Sequence, residues 1–272
     1  MMSFSSSFFS VALLVAAALS PAAAQTWTAC NPMNVTTCPD NPALGTNYTW
    51  DFSQASVSNV WNTTSGTIGH TSNGGEFTIN KRYDSPTIQS EFYIFFGVVE
   101  VHMRGATGQG VISSIVLESD DLDEVDWEMM GGNNTHVETN YFGKGNTTLY
   151  DRAIYYPVDT PLDTFHNYTT HWTSDMIEWY IDSVLVRTLP YAAADGGYNF
   201  PQTPMTIRLG IWAGGDPSNS NGTIEWAGGI TDFTKGPYTM YVQNVTAKDY
   251  STGSSYHYSD KSGSWQSIKT IA

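Results

Sequence analysis

Residues Ser119 to Gly145 read SDDLDEVDWEMMGGNNTHVETNYFGKG, and their centre is Glu124-Val125-Asp126-Trp127-Glu128. Successive side chains of a β-strand point to opposite faces. A strand therefore places Glu124, Asp126 and Glu128 on one face and Val125, Trp127 and Met129 on the other. A helix would scatter the same residues, because i and i+2 do not face each other. The Val and Trp content and the stop at Gly131-Gly132 also favour a strand.

One face of this strand is apolar and the other carries three like charges. At a rise of ~3.4 Å per residue, Glu124 and Glu128 have Cα atoms roughly 13 Å apart, and a curved sheet brings their carboxyls closer on its concave side. Two carboxyls flanking one bond suit glycoside hydrolysis, and a retaining enzyme holds them about 5–5.5 Å apart. Asp126 can hydrogen-bond to either neighbour, and its charge helps keep a proton on the partner acid. A solvated acidic edge strand or a cation site is the plainer alternative, which the spacing alone leaves open. An EF-hand is excluded, since no Gly follows the acids at the required place. The next segment, His136 to Phe142, alternates as well. Pairing beside Glu124–Glu128 would bring His136, Glu138 and Asn140 to the acidic face.

The ExDxE strand, the GG turn and the ETNYFGKG segment resemble glycoside hydrolase family 16, and within it the Crh-type fungal cell-wall transglycosylases. Further matching segments include Phe96 to Val101, Gly108 to Ser114, Ser119 to Glu124, Ile211 to Asn219, Gly222 to Gly229 and Ser259 to Trp265. The resemblance spans nearly all of the chain after its leader. It implies a β-jelly roll and a retaining mechanism, with Glu124 as nucleophile, Glu128 as acid and base, and Asp126 orienting the pair. It also implies chitin as donor and β-glucan or chitin as acceptor. Two departures stand out: Glu138, where the family commonly has Gln, and Trp127, where relatives often have Tyr.

A polysaccharide site needs aromatic platforms and well-placed hydrogen-bonding groups. Met205 to Trp212 alternates, with Met205, Ile207, Leu209 and Ile211 on one face and Arg208 and Trp212 on the other. Pattern alone favours a surface Trp and an Arg in an ordinary salt bridge. The resemblance implies that Arg208, Trp212 and Thr223 contact the glycan beside Glu128. Thr223, at the start of the TIEWAGG segment, rests on the resemblance alone. Glu138 and Asn140 join this set as expected sugar contacts.

Met1 to Ala24 reads as a secretory signal peptide. Its apolar core, Phe8 to Leu19, is too short to span a bilayer, and Ala22-Ala23-Ala24 offers a cleavage site before Gln25. No Lys or Arg stands in the n-region. Residues 25–272 are then expected to form one catalytic domain of about 250 residues, large enough for a sizeable core. Short alternating segments separated by Gly, Asn, Asp and Pro indicate an all-β, two-sheet antiparallel sandwich. Ile177 to Leu189 reads as one of its hairpins, turning at Asp182-Ser183.

Eleven basic residues against twenty-six acidic ones give a net charge of −15, which argues against nucleic acid as a partner. Cys30 and Cys38 are the only cysteines. In a secreted chain they imply one disulfide, contributing about 2–3 kcal/mol at best in the chain-entropy model. Eight Asn-x-Ser/Thr sequons run from Asn34 to Asn244, a density that suits a secreted glycoprotein. Asn133, directly after the acidic strand, is one of them. No GxSxG elbow, P-loop or HExxH is present, and the six His residues are dispersed. No cofactor or metal is expected. The chain ends without the apolar tail of a lipid anchor.

The reading is a secreted or wall-located monomer, a retaining enzyme that transfers chitin or β-glucan chains onto one another. An endo-β-1,3(1,4)-glucanase or chitinase acting by hydrolysis is the first alternative. A lectin-like module that binds glycans without cleaving them is the second.

Overall fold

Alternation at period two runs through the chain, and it sorts apolar side chains to the inside of two stacked sheets. In the computed structural model, which describes residues 27–272, seven strands form one antiparallel sheet. Their spatial order is Ile154–Pro157, His136–Phe142, Glu124–Met130, Val111–Ser119, Met205–Ala213, Thr87–Ser90 and Trp61–Ser65. The second sheet is built on Gly97–Arg104, which pairs with His166–Trp172 on one side and Tyr238–Asp249 on the other. A small third sheet joins Asn41–Pro42, Ser255–Tyr258 and Ile268–Ile271. The leader and its cleavage site lie outside the described residues.

The core lies between the two large sheets. Val99, Val101 and Met103 enter it from one side, and Ile207, Leu209 and Ile211 from the other. Trp127 crosses the interface: it is buried, and its Nε1 donates to Thr170 Oγ1 at 3.1 Å on the opposing sheet. The site strand is therefore pinned to the second sheet through the residue between Asp126 and Glu128. The expected hairpin is present as strands Met176–Ile181 and Val184–Pro190. Asp182 and Ser183 both have positive φ, 49° and 67°, as a two-residue turn matching strand twist requires.

Candidate active site

The turn that leads into the acidic strand is fixed from below. Asp123 is fully buried, and its Oδ2 accepts the backbone N–H groups of Gln202 at 2.7 Å and Thr203 at 3.2 Å. Its Oδ1 accepts the N–H of Lys144 at 2.9 Å. Asp121, also buried, is bonded by Ser119 and Thr203. With the Thr203 hydroxyl also donating to Oδ2 at 3.0 Å, one carboxylate thus satisfies four donors from two distant loops and sets the position at which Glu124 begins its strand.

From there the register assembles the outer face row by row. Glu124 lies opposite Glu118 of Val111–Ser119, and Asp126 opposite Asn140 of His136–Phe142. Glu128 faces Glu138 on one side and Ser114 on the other. The expected sharing of one face by Glu124, Asp126, Glu128, Glu138 and Asn140 therefore holds. Glu124 and Asp126 are buried, at 6% and 2% exposure, whereas Glu128 is only half-buried. The access point of the row is at Glu128.

Burial raises every carboxyl in this row, because a low-dielectric surrounding disfavours the charged form. Glu124 is pushed up to about 7 by burial, opposed by its hydrogen bond to Asp126 and by the Arg208 charge. Asp126 is raised well above its ordinary range, by burial and then by the charges of Glu124 and Glu128. Glu128 is raised by burial, then by Glu138 and Glu124. Crowded carboxyls that cannot all ionise together supply one proton donor and one anion at the same site.

Beyond the row, Trp226 Nε1 donates to Glu138 Oε2 at 2.8 Å, and Asn140 Nδ2 donates to Glu138 Oε1 at 3.4 Å. Tyr155, opposite Glu138 in register, also bonds it. Trp226 stacks on Trp212 with ring centroids 5.9 Å apart and planes 24° apart. The two rings pack on buried Ile112, Met130 and Ala227. Half-buried aromatic pairs of this kind suit the apolar faces of sugar rings.

Thr223 sits in the first turn of a short helix, Asn221–Trp226, and not in an open loop; Ser220 caps it by accepting the Thr223 N–H at 3.2 Å. The same helix delivers Trp226 to Glu138. Arg208 lies on the expected face, but it is buried and ion-paired with Glu118. Its Nη2 donates to the Trp27 carbonyl at 3.0 Å. The salt-bridge alternative is thus part of its environment. Cys30 and Cys38 are disulfide-bonded, with Cα atoms 5.7 Å apart.

Sequence reasoning did not single out Trp226, Glu118, Tyr155 or Trp27. Glu118 shares parity with Ser114 and Val116 and was within reach of the alternation argument. The others arrive from remote segments. Among the described residues, no group of three or more His, Cys, Asp or Glu side chains is arranged to hold a metal ion.

Residues 53–228 match the model of glycosyl hydrolases family 16. The chain belongs to that family. Within the family it is similar to Crh-like protein 2 of Botryotinia fuckeliana (strain B05.10), at 62% identity over 97% of this chain and 60% of that protein. The chain thus spans well under two thirds of that relative's length. Its fold superposes on a solved structure described as Crh5 transglycosylase in complex with NAG. The TM-score is 0.87 at 58% identity, covering 89% of this chain and 99% of the other. A Bacillus licheniformis β-glucanase superposes with a TM-score of 0.63 at 22% identity, over 76% of this chain and 99% of that one. The shared architecture is the family's antiparallel β-jelly roll, as the sequence led one to expect.

Proposed function

We propose that this family 16 protein is a retaining transglycosylase of fungal cell-wall polysaccharides. The observation that carries the reading is one strand presenting Glu124, Asp126 and Glu128 to the same face, buried at Glu124 and accessible at Glu128. In this reading Glu124 attacks the anomeric carbon of a bound glycan, forming a glycosyl ester. Glu128 gives its proton to the departing glycosidic oxygen. A sugar hydroxyl of a second chain then enters and passes its proton to Glu128. Its oxygen displaces Glu124, and two polymers are joined with the original anomeric configuration. Asp126, hydrogen-bonded to Glu124, orients the nucleophile and favours its ionised form.

The Trp212–Trp226 pair, Thr223, Glu138 and Asn140 are assigned to the glycan, and Arg208 to the far side of the row. The NAG of the superposed relative supports a chitin-type donor, with chitin or β-glucan as acceptor. The Crh-like relatives support residence outside the cell or in the wall. The leader before Gln25, a single catalytic domain over residues 25–272, N-glycosylation and a monomeric state belong to the same proposal. Among the described residues, no helix is long and apolar enough to cross a membrane.

The test is incubation with chitin oligomers, with and without fluorescently labelled laminarin oligomers, followed by mass analysis. Longer or hybrid products support transfer. Shortened chains alone would make the protein a hydrolase, and absence of turnover that is sensitive to Glu124→Gln and Glu128→Gln would leave only a binding module.

A further inference from the structure

The outer face of the seven-stranded sheet is crossed by the segment that precedes the disulfide. Trp27 donates its backbone N–H to Glu118 Oε1 at 2.7 Å, and its carbonyl accepts from Arg208 Nη2 at 3.0 Å. Both polar groups of its backbone are therefore taken up by side chains of the site sheet, 91 and 181 residues away in sequence. Glu118 and Arg208 are ion-paired and buried, with side-chain exposures of 1% and 10%. A buried ion pair contributes little net stability, so its clearest use is positional. Three residues later Cys30, bonded to Cys38, closes the strap, and the Cys30 N–H donates to Thr28 Oγ1 at 3.2 Å.

The strap holds its backbone down but leaves Trp27 68% exposed. Tryptophan is highly buried on average. An exposed indole on a fixed backbone loses little freedom when a ligand covers it, which favours binding. Its position relative to the carboxylates follows from the register. Glu118 is the direct partner of Glu124, so Trp27 flanks the row on the Glu124 side. Trp212, in register with Ile112, flanks it on the Glu128 side. Arg208 and Trp212 are four residues apart on one strand, about 13 Å along it, a span that admits a pyranose ring between the two aromatic flanks.

We propose that Trp27 is a glycan-contact residue, set in place by the Glu118–Arg208 pair, which stacks on a sugar unit of a chitin-type chain on the Glu124 side of the row. This inference rests on the functional reading above, and it adds a second aromatic wall opposite Trp212 and Trp226.

The experiment uses calorimetric titration of a chitin hexamer into the full chain carrying Glu124→Gln, so that binding is read without turnover. Adding Trp27→Ala is expected to weaken the affinity about tenfold, and Trp27→Phe to restore most of it. The thermal midpoint should be unchanged, since the strap is anchored by backbone atoms that Phe and Ala retain. Should the Ala variant fold poorly, the Trp27 indole N–H resonance, assigned through Trp27→Phe, supplies the second readout, and it should shift as hexamer is added. Equal affinities together with an unshifted resonance overturn the proposal while turnover that depends on Glu124 and Glu128 leaves the functional reading standing. No binding of the hexamer to the parent overturns both.

Discussion

Glu138 stands directly opposite Glu128 across two antiparallel strands, and each carboxyl is pushed above its ordinary range by burial. Like charges placed opposite one another on a sheet are unfavourable. Three hydrogen-bonding partners, Trp226, Asn140 and Tyr155, oppose that rise at Glu138 and favour its charged form. In the proposed mechanism the proton is carried by Glu128, where a departing oxygen needs it.

Glu138→Gln tests that division. Gln keeps an acceptor oxygen for Trp226 and removes the charge that helps hold the Glu128 proton. Glu128 should then lose its proton at lower pH, and the basic limb of the kcat/KM profile should move to lower pH by roughly one unit. A limb that stays in place would show that Glu138 does not govern the acid.

Trp226 links this carboxyl to the aromatic platform. Trp226→Phe removes the N–H donated to Glu138 but keeps a ring against Trp212, whereas Trp226→Ala removes both. The Ala variant should raise KM for chitin oligomers about tenfold, with a smaller rise for Phe. Equal KM values for both variants and the parent would remove the platform from substrate binding.

Asp123 is expected to matter without touching substrate. Asp123→Ala leaves the N–H groups of Gln202, Thr203 and Lys144 without their acceptor, a cost of about 2–4 kcal/mol measured by denaturant unfolding. The turn into Glu124 loosens, so kcat should fall more than KM rises. Unchanged stability would mean those donors find other partners.

Stability should depend on pH in a definite direction. Burial pushes Glu124 and Asp121 up to about 7. Unfolded, these groups release their protons near pH 4, so between about 4 and 7 the unfolded state binds fewer protons than the native one. Their contribution is complete below the unfolded values and is lost as pH rises through the folded ones. The melting temperature should fall from pH 5 to pH 8, and Glu124→Gln should flatten that slope. A melting temperature that rises across this interval would contradict the burial argument.

What could be read in advance was whatever alternation encodes. Glu124, Asp126 and Glu128 share a face because the strand has period two, and Glu138 and Asn140 join them because their strand has the same period. The partner of Arg208 was not legible. Parity places its side chain on the outer face, but only the fold brings Glu118 and the Trp27 carbonyl to it. Trp226 reaches Glu138 across 88 residues of sequence, and Tyr155 comes from the edge strand Ile154–Pro157. Thr223 rested on the resemblance alone, with no element read from the pattern around it; Ser220 caps a six-residue helix there.

The central claim is that Glu124 carries the glycosyl group between donor and acceptor. Its most direct measurement is mass spectrometry of the Glu128→Gln variant supplied with a chitin oligosaccharide bearing an activated leaving group. Such a donor departs without acid assistance, while release from the enzyme is slowed. The predicted result is a glycosyl adduct on the peptide containing Glu124, discharged by azide as a glycosyl azide that retains the donor's configuration. An adduct on another residue, no adduct despite turnover, or an inverted product would contradict it.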